Sequence, residues 1–118
     1  MSPLEHATYI CPVELALKAI AGKWKPAILW ELTSGAKRFN ELLSAMPGIA
    51  HKVLTQQLTQ LQRDGMVMRH SVQNDPHPGY ALTLLGETLR PSLDALAQWG
   101  KLYGDRTHAT ALEAMRRL

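Results

Sequence analysis

The stretch from Phe39 to Val67, FNELLSAMPGIAHKVLTQQLTQLQRDGMV, constrains this chain most, because it reads as two short helices joined by a tight turn. Asn40 is a good N-cap for a helix over about 41–46, and Pro47-Gly48 closes it. From His51 to Arg63, the residues Leu54, Leu58 and Leu61 recur at the spacing of one helical face, and Gly65 follows as a stop. With Leu54 at zero on a wheel of about 100° per residue, Leu58 and Leu61 fall within about 40° of it. Lys52, Gln56, Thr59 and Arg63 then face the opposite way, with Thr55 and Gln60 on the flanks.

That outer face is polar, and no Asp or Glu occurs between Gly48 and Arg63. Each side chain on it has a use in a DNA major groove. Glutamine can bond adenine bidentately, lysine can donate to guanine, threonine offers a hydroxyl or a methyl, and arginine grips phosphate or guanine. An acid at any of these positions would repel the phosphates.

The remaining segments place this pair of helices. Pro12 suits a helix start, and Val13, Leu15, Ala16, Leu17, Ala19 and Ile20 give an apolar helix over about 12–21. A second helix runs through Trp24, Pro26, Ile28, Leu29, Trp30 and Leu32 to a stop at Gly35, and both helices are expected to be mostly buried. Lys37, Arg38 and Phe39 form a short extended piece. MVMRHSV and YALT read as two strands, separated by a turn-rich tip over Gln73 to Gly79. Thr83 caps a long helix carrying Leu85, Leu89, Leu93, Leu96 and Tyr103, with Pro91 in an early turn, and Thr107 to Leu118 forms one more short helix. Helix-turn-helix followed by a β-hairpin is the plan of a winged helix, so the expected fold is mainly α with a small hairpin.

Composition excludes more than it identifies. One domain suits 118 residues, of which 46% are hydrophobic and 19% charged, so neither a disordered nor a fibrous class is indicated. The 13 Lys and Arg against 10 Asp and Glu give a net charge of +3, mildly favourable for contact with phosphate. Cys11 is the one cysteine, so no intramolecular disulfide can form and a reducing, cytoplasmic setting is expected. No leader pattern and no long apolar run supports secretion or a membrane span.

CPVELALKAIAGKW, then RFNELLSAMPGIAHKVLTQQLTQLQRDGMV, then YALTLLG and LDALAQWG resemble, over residues 11 to 100, the HxlR family of bacterial transcriptional regulators. The resemblance implies a winged helix domain over 11–104 with a short helical extension over 105–118. It further implies a homodimer on operator DNA, with the helix from His51 to Arg63 as the reader and the hairpin near Arg69 to Tyr80 as the wing. Lys52, Thr55, Gln56, Thr59 and Gln60 are the candidates for base or backbone contact. Lys37, Arg38, Arg63 and Arg69 are the phosphate partners, and His70 and His77 belong to the wing. Family members usually carry Ser or Thr where this chain has Ala50, so the usual N-cap of the reader is missing. Some relatives use a cysteine at the place of Cys11 as a redox or electrophile switch, which makes an oxidant or small-molecule effector an expected partner.

The long helix has more apolar surface than a small winged core can cover. A second chain packed on Leu85, Leu89, Leu93, Leu96 and Trp99, with the first helix, would set two readers about 34 Å apart on a pseudo-palindromic site. Trp24, Trp30 and Trp99 are expected in the core. The five histidines show no ligand spacing, so no metal is expected, and no phosphate loop or nucleophile motif indicates an enzyme or a cofactor. The competing reading is a winged helix used only as a protein interaction module.

Overall fold

The computed structural model describes the backbone of residues 11–70 and 79–116 and the side chains of residues 11–69 and 79–107. In order, the elements are α1 (Pro12–Ala19), α2 (Lys25–Leu32), β1 (Lys37–Arg38), α3 (Phe39–Ala45) and α4 (His51–Arg63). They continue with β2 (Val67–His70), β3 (Gly79–Leu82), α5 (Leu84–Thr88) and α6 (Arg90–Arg116). This is a winged helix: α3 and α4 form the helix-turn-helix, and β2 and β3 form the wing's strands. The turn-rich tip lies outside the described residues.

The sheet is antiparallel in the order β1-β3-β2. Arg69 and Lys37 both stand opposite Tyr80, while Arg38 and His70 stand opposite Gly79. The piece at Lys37 and Arg38, expected only as an extended connection, is therefore a third strand. Its pairing closes a loop of some forty residues, which no local pattern announces.

The core gathers Ile28, Leu29 and Leu32 of α2, Leu42 of α3, the α4 leucines, Val67, Leu82 and Leu93. Among the described residues no polar or charged side chain is buried. Packing here is wholly apolar, and the polar groups near it are satisfied by caps and turns.

Several expectations need correction. The N-cap of α3 is Arg38 rather than Asn40, because the Glu41 carboxylate accepts the Arg38 backbone N–H at 3.0 Å and starts the helix earlier. Phe39 accordingly begins the helix and packs against the core. Helix α1 has no buried residue, with Val13 and Leu17 exposed. Of the tryptophans only Trp24 packs on the core, and Trp30 and Trp99 are exposed. Leu93 is buried within the single chain and so is not available to a partner, while Leu89 packs against that core and is only partly buried.

The long helix is also interrupted. Thr83 caps α5 as expected, its hydroxyl oxygen accepting the Gly86 N–H at 3.0 Å. Pro91 then has no N–H for the carbonyl four residues back, so α5 ends and α6 begins across Leu89. Arg90 bridges the break: it pairs with Glu87 at 2.9 Å and donates to the Thr33 carbonyl at the end of α2. The hydrogen bond from Arg90 holds the Glu87 carboxyl below its ordinary range, so this pairing supports the fold above that range and is lost on acidification. Past Tyr103, α6 continues without a break to Arg116, so the expected short last helix is part of it.

Candidate nucleic-acid interface

Helix α4 is fixed from within. Leu54, Leu58 and Leu61 are at most 1% exposed, while Lys52, Thr55, Gln56, Thr59, Gln60 and Arg63 all face outward. The end of the helix is fixed as well. Gly65, at a φ of 76°, donates its N–H to the Gln62 carbonyl at 3.1 Å, and Met66 donates to Leu61 at 2.9 Å, which together make a Schellman motif. The Thr83 hydroxyl donates to the Gly65 carbonyl, tying this end to the start of α5.

The outward side chains are not equivalent. The Thr55 hydroxyl donates to the His51 carbonyl at 3.0 Å, and the Thr59 hydroxyl to the Thr55 carbonyl at 2.8 Å. Both spend their proton on their own helix, which leaves an acceptor oxygen and a methyl group for anything outside, the methyl being suited to thymine. No such internal bond is recorded for Gln56 or Gln60 among the described residues, so their amides keep both donor and acceptor capacity.

The start of α4 follows directly from the turn. Gly48 takes a φ of 89° and Ile49 donates to the Met46 carbonyl at 3.2 Å, bringing the chain round from α3. Ala50 is extended, with φ −78° and ψ 145°, and supplies no side-chain cap. The first-turn amides of the reader therefore lack the partner that a hydroxyl would give.

Beside this end lies an open groove. Arg38 and Glu41 come from the start of α3, His51 and Thr55 from α4, and Arg69 and Tyr80 from the sheet. The Arg69 guanidinium lies over the Tyr80 ring at 5.8 Å, and Phe39 meets the His51 ring at 4.4 Å in a tilted arrangement. Two of the expected phosphate partners, Arg38 and Arg69, are thus brought together next to the reader. Lys37 is not: it lines an adjoining surface with Glu31, Asn40, Glu41 and Ser44. His70 is placed only by its strand position, and His77 lies outside the described residues. His51 was not among the contacts expected from sequence. No spacing singles out one histidine at a helix start, and its neighbours come from distant segments.

Two further surfaces bear on function. Cys11 is exposed as the N-cap of α1, and the Glu14 N–H donates to its sulfur at 3.4 Å. On α6, Leu96, Trp99, Leu102 and Tyr103 are all about half exposed or more, with the Trp99 and Tyr103 rings stacked at 5.2 Å. Leu85 is exposed too. None of the described helices is long and apolar enough to cross a membrane.

The HxlR-like helix-turn-helix family matches residues 19–108. The chain is 44% identical over 108 residues to YdeP of Bacillus subtilis (strain 168), an uncharacterized HTH-type transcriptional regulator, covering 91% of this chain and 83% of that protein. Among solved structures it is similar to the redox regulator HypR. The reduced form gives a TM-score of 0.75 at 38% identity, covering 84% of this chain and 99% of HypR. The oxidised form gives 0.70 at 40% identity, covering 77% and 95%.

Because Ala50 already has the extended backbone of an N-cap, Ala50→Ser should stabilise the fold by about 0.5–2 kcal/mol. Urea unfolding of the two proteins measures this, and an unchanged or lower midpoint would contradict the cap assignment.

Proposed function

The chain belongs to the HxlR-like helix-turn-helix family of transcriptional regulators, and from that premise we propose that it binds a specific duplex DNA site as a homodimer. The observation that carries this reading is α4, whose apolar stripe is sealed in the core while an acid-free face of Lys52, Gln56, Thr59 and Arg63 is presented outward. Gln56 and Gln60 read base edges, Thr55 and Thr59 contribute methyl or acceptor contacts, and Lys52 and Arg63 meet phosphate or guanine. Arg38 and Arg69 hold the backbone beside the reader, and His70 and His77 extend that contact along the wing.

The dimer is supported by apolar surface that the single chain leaves uncovered. Val13 and Leu17 of α1, and Leu96, Trp99, Leu102 and Tyr103 of α6, lie exposed. A two-fold pairing through these helices sets two readers about one DNA turn apart and calls for a pseudo-palindromic operator.

Cys11 is proposed as the point of regulation. Its sulfur is exposed and carries an amide donor, and the similarity to HypR, a redox regulator solved in reduced and oxidised forms, supports an oxidant or electrophile as effector. With one cysteine per chain, any disulfide it forms is with another molecule.

Selection from a random duplex pool at stated salt identifies the operator, and anisotropy on that operator then tests the reader. Gln56→Ala should weaken operator binding by about 1–3 kcal/mol while leaving random DNA nearly unaffected, whereas Arg38→Ala should weaken both and lower the salt slope. Equal losses on both DNAs for Gln56→Ala would refute base reading. Light scattering at micromolar concentration should give twice the chain mass, and a monomer would remove the dimer. Cys11→Ser should bind operator like the native chain but lose any response to diamide, and a response identical to the native one would remove Cys11 from regulation.

A further inference from the structure

In the groove beside α4, His51 is exposed at the first position of the reader, and the Phe39 ring rests against it at 4.4 Å. The charged and titratable side chains that share the groove are Arg38 and Glu41 from the start of α3, Arg69 on β2 and Tyr80 on β3, while Lys52 adjoins His51 on its own helix. Glu41 is engaged, its carboxylate accepting the Arg38 backbone N–H at 3.0 Å. Arginine, lysine, tyrosine and glutamate side chains ordinarily keep one charge state between about pH 6 and pH 8, whereas histidine changes over in that range.

We infer that this groove takes one strand's sugar-phosphate backbone and that His51, as its imidazolium, donates a hydrogen bond to a phosphate oxygen there. The inference rests on duplex DNA binding through α4. Its geometric basis is continuity: Thr55 lines the groove and also lies on the outward face of α4, so a strand read by that face passes directly over His51. Two arginines, Arg38 and Arg69, line the groove against one carboxylate, Glu41, so its balance of charge suits an anion. Its flanking aromatic rings suit the sugar, and the Phe39 contact holds the imidazole ready at the rim.

The proton comes from solvent on binding and returns to it on release. Because the phosphate favours the charged ring, the complex holds more protons than the free protein, and affinity must rise as pH falls through the histidine range. The contact is to backbone, so the same gain applies to operator and random duplex alike.

The test is anisotropy at fixed ionic strength with both duplexes, from about pH 8 to about pH 6. The native chain should tighten about three- to tenfold on each DNA over that interval. His51→Gln should reduce this to less than about twofold, and His51→Arg should bind at the higher pH about as tightly as the native chain does at the lower. The same comparison made in a His70→Gln, His77→Gln background, which removes whatever the wing histidines contribute, should show the same loss for His51→Gln. The inference is overturned if His51→Gln retains the pH profile in that background, or if the gain appears on the operator alone, which would make His51 a base contact. A native chain that binds neither duplex at any pH would instead bring down DNA binding itself, a result separate from specific binding with no pH dependence.

Discussion

The burial of Leu54, Leu58 and Leu61 governs everything outside them. Each fully buried leucine contributes roughly 1.5–3 kcal/mol relative to exposure, so turning α4 about its axis would cost the stripe and press glutamine and lysine into an apolar core. The outward face is therefore a consequence of packing. It needs no separate device to hold it, and its side chains are free to differ as long as the stripe remains. The helix end is then fixed by backbone geometry. The Schellman motif at Gly65 and the Thr83 hydroxyl, which donates to the Gly65 carbonyl while accepting from Gly86, link the reader to α5. Gly86 is needed at that junction because a Cβ there would run into the Met66 carbonyl and sit 3.2 Å from Leu82. A larger residue at 86 would push α5 away from the element it braces.

What could be read from sequence divides along the range of the interactions involved. The α4 face, the Gly48 turn, the Gly65 stop and the Thr83 cap depend on residues within one or two turns of each other, and the structure has all of them. The third strand depends on Lys37 meeting Tyr80 across forty residues, and the start of α3 on a carboxylate at Glu41 outcompeting a good capping residue at Asn40. The break at Leu89 was within reach, since Pro91 lacks the required N–H, but an early-turn proline is tolerated at a helix start and so did not reveal which helix it began. Trp30 and Trp99 show the limit of composition. A large apolar side chain reads as core whether its cover is its own chain or another.

His51 marks a different limit. Its type and position were visible, yet nothing in a single segment makes a histidine at a helix start more than a surface residue. Only the fold brings Arg38, Arg69 and Tyr80 to it, from segments separated by the whole of α4 and by the wing. Sites assembled this way carry no motif, and which of their members meet is set by the sheet's register rather than by spacing in the sequence.

The position of Cys11 constrains how a chemical change there can reach the reader. Helix α1 contributes no buried residue, and only Ile20, just beyond its end, joins the core. Modifying the sulfur therefore leaves the packing around Ile28, Leu42 and the α4 stripe intact, and the α4 face itself does not change. Within the proposed dimer, the surfaces that respond are those the single chain leaves uncovered on α1 and α6. An effect on DNA then has to act through the relative placement of two unaltered readers. Because half-sites lie a fixed distance apart along the duplex, even a small change in that placement costs one reader its register, and loss of one of two linked contacts removes far more affinity than loss of any single hydrogen bond.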